Sequence, residues 1–349
     1  MIPLPGETIR WEEASGEVSL LDQTALPARV QRIRCRDVER LAEAIRRLEI
    51  RGAPALGLAG AYGVALAAAR SREPDLPRFL AGVAESAELL RTTRPTAVNL
   101  SWGIDRVLAR VRAARSVEEG RRVALTEAKA VAEEDALTCR RIGEHGAALL
   151  PDRCTVLTHC NAGALATSEW GTALGVVRSA VAAGKEIRVL ACETRPLLQG
   201  ARLTAWELVR DGIPVTVIVD SAAAALMQAK EVDCVIVGAD RITRDAVFNK
   251  VGTYMHAVSA RFHGIPFYVA APHSTFDTGS TAADIVVEER DGDEIRFRGQ
   301  EPVVPARAGV RNPAFDASPL ALVSAIITED GVMRPPYDFT AAGKRREAP

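Results

Sequence analysis

The chain lacks several features that would place it in a common functional class. Its six cysteines occur without CxxC spacing, which argues against a disulfide framework and against a zinc site. It contains no Walker A sequence, and no GxGxxG follows the first strand predicted after residue 150, so dinucleotide or ATP binding is not supported. The formal net charge is only −1, and charges of both signs are interspersed, which does not favour a nucleic-acid partner.

Signals for export and for membrane insertion are also missing from the sequence. The first residues carry no basic segment followed by an apolar core, so we expect no signal peptide. The longest apolar run, residues 53–69, contains a proline and three glycines and is short for a membrane span. We therefore expect a cytoplasmic protein with no membrane partner.

The patterning of the chain predicts an α/β fold. Aromatic residues make up only 5% of the chain and hydrophobic residues 48%, which is typical of buried strands and Ala-rich helices. Short β-like segments occupy residues 7–36, and helical periodicity follows up to residue 149. Strands and helices then alternate, which predicts a parallel sheet. We thus expect a smaller, mostly helical domain with an N-terminal β meander at 1–150 and a Rossmann-like catalytic domain at 151–349.

Two expectations concern the C-terminal part of the chain. Ser318-Pro319 has the pattern of a helix start, so a final helix is predicted from Ser318 to about Ile327. The polar end after Thr340 is expected to be frayed.

Two predicted strands lead to reactive side chains. The first leads to Cys160 and then turns through Gly163 into a predicted helix, whose N-terminus would favour a thiolate. The second leads to Asp240. Because the carboxyl ends of parallel strands bind ligands, we expect Cys160 and Asp240 on opposite sides of one pocket. The simpler alternatives are a buried structural cysteine, and an aspartate that caps a helix or pairs with Arg241.

Further polar residues are expected near this pocket. Arg51-Gly52-Ala53-Pro54 could hold a phosphate on backbone N–H groups and a guanidinium, or it could be an ordinary helix connection with a surface arginine. Arg94 lies in a similar loop. Gln199 lies beyond the predicted strand at residues 187–192, and Asn249-Lys250 lie beyond Asp240, ahead of Gly252. Together these groups suit acid–base chemistry on a phosphorylated small molecule.

Seven motifs follow one another along the chain. They are Arg51-Gly52-Ala53-Pro54-Ala55, Arg94-Pro95-Thr96-Ala97-Val98-Asn99-Leu100, Thr158-His159-Cys160-Asn161-Ala162-Gly163, Glu193-Thr194-Arg195-Pro196, Gly238-Ala239-Asp240-Arg241, Asn249-Lys250-Val251-Gly252-Thr253 and Asn312-Pro313-Ala314-Phe315-Asp316. Together they cover nearly the whole chain. In this order they resemble the S-methyl-5-thioribose-1-phosphate isomerase family of methionine salvage, which is related to regulatory subunits of a translation initiation factor.

The resemblance implies an aldose–ketose isomerase that converts 5-methylthioribose 1-phosphate to 5-methylthioribulose 1-phosphate. It implies Cys160 and Asp240 as the catalytic pair, a homodimer, and no metal or organic cofactor. It also implies substrate contacts from Arg51, Gly52, Ala53, Arg94, Gln199, Asn249 and Lys250. Alternatives are an isomerase of 5-deoxyribose 1-phosphate or ribose 1,5-bisphosphate, and a non-catalytic subunit that binds a nucleotide or sugar phosphate.

One loop departs from the pattern of the resembled family. That family carries Gly-Asp between the Gly-Ala-Asp and Asn-Lys motifs, whereas residues 242–248 lack it and are one residue shorter. The carbon-5 substituent of the substrate and the route of hydrogen transfer stay open at this stage.

Overall fold

The computed structural model describes residues 8–339, beginning with a small antiparallel sheet. Its strands are β1 (Ile9–Glu12), β2 (Glu17–Leu21) and β3 (Arg32–Cys35), in that order across the sheet. The predicted N-terminal meander is therefore confirmed.

Five helices follow the meander, and four of them pack around the remaining one, which is apolar. They are α1 (Val38–Arg46), α2 (Ala53–Arg70), α3 (Leu76–Arg91), α4 (Val98–Arg112) and α5 (Val117–Ala147). Asp37, Asp75 and Ser116 cap α1, α3 and α5 by accepting a backbone N–H in the first turn. Helix α2 is buried from Ala55 to Ala68 and contacts each of the other four, because it is apolar on all sides.

A seven-stranded, mostly parallel sheet forms the second part of the fold. In chain order its region contains β4 (Arg153–Thr158), α6 (Ala173–Ala182), β5 (Glu186–Cys192), α7 (Ala205–Arg210), β6 (Val215–Ile218), α8 (Ala223–Gln228), β7 (Cys234–Val237), β8 (Arg241–Ile242), β9 (Ala246–Lys250), α9 (Thr253–His263), β10 (Phe267–Ala270), α10 (Asp293–Arg296), β11 (Phe297–Arg298), β12 (Glu301–Pro302), β13 (Phe315–Pro319), β14 (Ala325–Thr328) and β15 (Gly331–Met333). The strand order is β15-β14-β10-β7-β4-β5-β6, and only β15 runs antiparallel to its neighbour. The predicted α/β fold class is confirmed.

The predicted helix from Ser318 to Ile327 is wrong. Ser318 and Pro319 end β13, which pairs antiparallel with β9 in a small sheet of its own, β13-β9-β8. Residues Ala325–Thr328 are fully buried and form β14 beside β10. A short apolar run has the same pattern in a buried strand as in a buried helix, so periodicity could not separate them. The expected frayed end after Thr340 lies outside the described residues.

The sheet topology brings two chemically important strand ends together. Strands β4 and β7 are parallel neighbours, with Leu157 opposite Val235 in the register. Residues 160 and 240 therefore leave the sheet on the same edge, and the N-terminal end of α2 covers this edge. Within residues 8–339, no helix is both long and apolar enough to cross a membrane.

The close crossing of α2 and α4 gives a test of the helical core. A methyl group on Gly103 would overlap the carbonyl of Gly57. We therefore expect Gly103→Ala to lower the free energy of unfolding by about 1–3 kcal/mol, because an overpacked crossing must separate. Gly82 in α3 has open space around its Cα. We expect the control Gly82→Ala to raise the free energy of unfolding by about 0.4–1 kcal/mol. Chemical denaturation measures both values, and equal shifts for the two variants would contradict this packing.

Candidate active site

One cavity of about 810 Å³ lies at the carboxyl ends of β4 and β7, below the start of α2. All nine residues that the sequence analysis selected line it. They are Arg51, Gly52, Ala53, Arg94, Cys160, Gln199, Asp240, Asn249 and Lys250. The two reactive side chains thus share one pocket with the three cations and two amides among the predicted residues.

Cys160 is held in place through its backbone. It directly follows the buried His159 and has a φ of 65°, in the left-handed region. Its N–H donates to Thr194 Oγ1 at 2.8 Å, and its carbonyl accepts from Thr204 Oγ1 at 2.7 Å. These two bonds fix an uncommon backbone conformation, and the thiol is left half-buried at the cavity.

The helix expected directly after Cys160 is not present in the structure. Residues Ala164–Ala166 form a short 3₁₀ turn, and the next α-helix begins only at Ala173. The Gly-rich segment after the strand keeps an irregular path because its polar groups are bonded to side chains from elsewhere in the fold. A helix dipole therefore does not account for the electrostatics of Cys160.

Arg51 joins the helical part of the protein to the loop that carries Cys160. Its Nη1 and Nη2 donate to the carbonyl of Asn161 at 3.0 and 2.9 Å, and Nη2 also bonds Asn161 Oδ1. Its Nε donates to Gln23 Oε1 at 3.1 Å, and its Nη1 lies 3.9 Å from Cys160 Sγ. Arg51 is only 9% exposed. The alternative of a surface arginine is therefore wrong.

A buried glutamate that the sequence analysis missed supports the same loop. Glu207 accepts from Asn161 Nδ2 at 2.8 Å and from the N–H groups of Ala164 and Leu165 at 2.7 and 3.2 Å. Arg178 neutralises it at 2.8 Å. A buried carboxylate is tolerated because each oxygen is bonded and its charge is paired.

Asp240 lies on the other side of the cavity, three residues after β7. Its N–H donates to the carbonyl of Phe248 at 2.9 Å, so the chain continues into strand pairing and Asp240 caps no helix. Burial raises the pKa of Asp240, while Lys250, Arg51 and Arg94 act in the opposite direction. Because burial dominates, the neutral acid is favoured more strongly than for an aspartate in water.

The thiol of Cys160 is also shifted toward its neutral form. Burial raises its pKa, and the carboxyl of Asp240 adds to this effect. Arg51 and Lys250 lower the pKa of Cys160 but do not outweigh burial. The expectation of a field that favours the thiolate was therefore wrong in its net direction. Burial therefore shifts both candidate catalytic groups toward the neutral form in the free site.

Arg94, Lys250 and Arg290 line the cavity, and the carboxylate of Glu288 lies beside the two arginines. Arg94 and Arg290 both pair with Glu288, at 3.0 and 3.1 Å. Burial raises the pKa of Glu288, but the two arginines outweigh it and hold that pKa below its ordinary value. Burial lowers the pKa of Lys250, which is 8% exposed. Glu288 and Arg290 were not predicted from the sequence, because they lie in an irregular stretch with no periodic pattern.

Neutral polar groups complete the lining. Gln199 is buried, and its Oε1 has no hydrogen-bond partner among residues 8–339. Asn249 donates from Nδ2 to Thr253 Oγ1 at 3.0 Å, which orients its amide. Gly52 has a φ of 93°, and a side chain there would overlap Ala166. The free acceptor of Gln199 and the backbone of Gly52, which has no side chain, suit a ligand that carries hydroxyl groups.

His159, His256 and Cys192 form a group with the ligand types of a metal site. Their ligand atoms lie within 4.8 Å of one another. His159 already uses both ring nitrogens, one 2.9 Å from the carbonyl of Val251 and the other 3.1 Å from His256 Nε2. Burial lowers the pKa of His159 to about 4 and that of His256 to about 3. The two histidines are therefore neutral imidazoles that are hydrogen-bonded to each other.

The raised pKa of Cys160 can be tested by alkylation. We expect iodoacetamide to react slowly with Cys160 at pH 7 and faster as the pH rises past the ordinary thiol value of 9.0, because only the thiolate is nucleophilic. Lys250→Met should move the profile to still higher pH, since it removes a cation that lowers this pKa. Mass spectrometry of the modified peptide gives the rate.

Two controls make the alkylation profile specific. Lys230→Met removes an exposed lysine outside the cavity and should leave the profile unchanged. Cys160→Ala reports the background from the other five cysteines, which are all buried. A rate that has already reached its maximum at pH 7 would contradict the raised pKa.

Comparisons with known proteins agree with the resemblance found in the sequence. The pattern of the Initiation factor 2 subunit family matches residues 49–335. A protein from Heliobacterium modesticaldum named methylthioribose-1-phosphate isomerase is 53% identical over 335 residues, 95% of this chain and 96% of the relative. A protein from Moorella thermoacetica named 5-deoxyribose 1-phosphate isomerase is 51% identical over 337 residues, 95% of each chain.

Two solved structures are similar over almost their whole length. The 5-methylthioribose 1-phosphate isomerase from Pyrococcus horikoshii OT3 is 41% identical, with a TM-score of 0.89, and the match covers 99% of this chain and 96% of that one. A structure described as translation initiation factor eIF-2B, subunit delta, from A. fulgidus is 53% identical, with a TM-score of 0.86 and 99% of both chains covered. The chain therefore belongs to the Initiation factor 2 subunit family, and it is similar to members named methylthioribose-1-phosphate isomerase.

Proposed function

We propose that this protein is an aldose–ketose isomerase that converts 5-methylthioribose 1-phosphate to 5-methylthioribulose 1-phosphate in methionine salvage. The observation that carries the proposal is that the Cys160 thiol and the Asp240 carboxyl, whose pKa values are both raised by burial, line one cavity together with several cations. Relatives of 51% and 53% identity that cover this chain carry the corresponding enzyme name.

The blocked anomeric oxygen of a sugar 1-phosphate explains why a neutral carboxyl is needed. Such a ring cannot open as a free hemiacetal does. Asp240 gives its proton to the ring oxygen as the bond from that oxygen to carbon 1 breaks. Burial keeps Asp240 protonated at a higher pH than an exposed aspartate would be.

Hydrogen must then move from carbon 2 to carbon 1, and two routes fit this site. In the first, the minor thiolate form of Cys160 takes the proton from carbon 2 and becomes the thiol, which then gives a proton to carbon 1 and returns to the thiolate. In the second, hydride passes directly from carbon 2 to carbon 1 beside a neutral Cys160. In both, the proton lost by the carbon-2 hydroxyl balances the one given to the ring oxygen. Solvent deuterium at carbon 1 identifies the first route, while full retention of a carbon-2 label favours the second.

The cations and amides of the cavity have separate tasks in this proposal. Lys250, Arg94 and the backbone at Gly52 and Ala53 bind the phosphate, since several donors share its two charges. Most donors of Arg51 are already bonded to protein acceptors, so it acts mainly through its charge and by holding the loop. Gln199 and Asn249 bind sugar hydroxyls.

Two other functions have a specific observation in their favour. The Moorella thermoacetica relative is named 5-deoxyribose 1-phosphate isomerase, so a methyl group at carbon 5 is a candidate in place of methylthio. The similar structure described as an initiation-factor subunit favours a non-catalytic binding subunit. A non-catalytic subunit would still bind its ligand in Cys160→Ser, whereas the isomerase would lose its turnover.

We further propose the setting that the family resemblance implies. The protein acts in the cytoplasm as a homodimer, without a nucleic-acid partner. Residues 1–150 and 151–349 would act as two domains, and the cavity lies where residues from both ranges meet.

An isomerase assay of the purified protein tests the function directly. We expect turnover of 5-methylthioribose 1-phosphate, and losses of about 10²–10⁴ in kcat for Cys160→Ala and Asp240→Asn, the range typical of a lost acid–base group. The control Cys139→Ala changes a buried cysteine on α5 that does not line the cavity, so it should stay within a few-fold of the original rate. Absence of turnover with both 5-methylthioribose 1-phosphate and 5-deoxyribose 1-phosphate would overturn the assignment.

A further inference from the structure

A second cavity adjoins the first and extends between the start of α4 and residues 285–288. This side chamber contains about 540 Å³ of space, part of which is open to solvent. The two cavities share five lining residues, so they lie side by side. The shared residues are Ala53, Leu56, Arg94, Asp240 and Phe315.

The walls that belong to the side chamber alone are mainly apolar. Val98 begins α4, Phe248 comes from β9, and Ile285 and Val287 come from the loop before Glu288. Phe248 is buried and the other three are half-buried, so they present apolar surface to the chamber. Such walls stabilise a small apolar group and bind a hydrated one poorly.

Charged groups of the side chamber are already engaged with one another. Arg94 pairs with Glu288 at 3.0 Å, and Arg241 pairs with Asp277 at 3.2 Å and donates to the carbonyl of Thr96 at 3.0 Å. A second phosphate in this chamber would meet the ionised Glu288, and Arg94 would already be shared between Glu288 and the carbon-1 phosphate. The chamber therefore disfavours a dianion.

The position of the side chamber relative to the two reactive groups indicates which part of a sugar enters it. Asp240 lines both cavities, whereas Cys160 lines the main cavity and not the chamber. In the proposed reaction Asp240 faces the ring oxygen, which is bonded to carbon 4, and carbon 5 branches from carbon 4. Cys160 faces carbons 1 and 2 on the opposite side. A ring placed in this way directs carbon 5 into the chamber.

We propose that the side chamber binds the carbon-5 substituent of the substrate and selects a small apolar group, methylthio or methyl, over phosphate. This inference rests on the proposed isomerase function and adds its specificity-determining residues, Val98, Phe248, Ile285, Val287 and Glu288. Asn99 also lines the chamber, and its Oδ1 has no partner within residues 8–339. A hydroxyl group at carbon 5 is therefore the informative competitor.

The test compares kcat/KM for four substrates that differ only at carbon 5: 5-methylthioribose 1-phosphate, 5-deoxyribose 1-phosphate, ribose 1-phosphate and ribose 1,5-bisphosphate. We expect the unmodified protein to prefer the first two. Val287→Asn should lower the ratio of methylthio substrate to ribose 1-phosphate by about tenfold or more, the range for a lost apolar contact. Val98→Asn should act in the same direction and serves as the second variant if the first does not fold.

Two further variants complete the experiment. Val30→Asn replaces a valine that is 64% exposed and outside both cavities, and its substrate ratios should stay within twofold. Glu288→Gln should raise the ratio of ribose 1,5-bisphosphate to methylthio substrate about tenfold, because it removes the opposing charge.

The possible failures are distinguishable. If the unmodified protein turns over none of the four sugars, the proposed function fails, and this inference fails with it. If it turns over the methylthio substrate but folded Val287→Asn and Val98→Asn leave the ratio to ribose 1-phosphate unchanged, only the side-chamber inference is overturned. A preference of the unmodified protein for ribose 1-phosphate or ribose 1,5-bisphosphate overturns it as well.

Discussion

The contact between Arg51 and Asn161 is the interaction on which the rest of the site depends. Arg51 lies just before the buried helix α2, and Asn161 lies just after β4, so the pair joins the helical part to the sheet. Charge-assisted bonds of a rigid guanidinium to one residue fix both position and direction. Glu207 holds the other side of Asn161. The loop therefore presents Cys160 to the cavity in one orientation.

Burial, rather than any single charge, sets the protonation state of the site. Three cations act on Asp240 and two act on Cys160, yet the pKa of each group is raised because the cavity removes it from water. The charges of the same cations still attract a dianionic phosphate. One enclosed space thus shifts an acid toward its neutral form beside cations that favour an anion, a combination that exposed groups in water would not maintain.

The sequence predicted the fold class and the members of the cavity better than it predicted the contacts among them. Strand ends at Cys160 and Asp240 follow from alternation and parallel topology, which are local patterns. Glu207 could not be found in this way, because nothing in its own helix shows that its carboxyl meets backbone N–H groups more than forty residues away. Glu288 and Arg290 lie in an irregular segment for the same reason. The wrong final helix reflects a run too short for periodicity to decide.

The proposed mechanism requires one sugar ring to lie between Asp240 and Cys160, and a crystal structure of Asp240→Asn with bound 5-methylthioribose 1-phosphate would show whether it does. We expect the ring oxygen within hydrogen-bond distance of residue 240, carbons 1 and 2 facing the Cys160 sulfur, and the phosphate beside Gly52 and Lys250. A bound sugar with residue 240 at carbon 2, or a sugar bound outside this cavity, would contradict it.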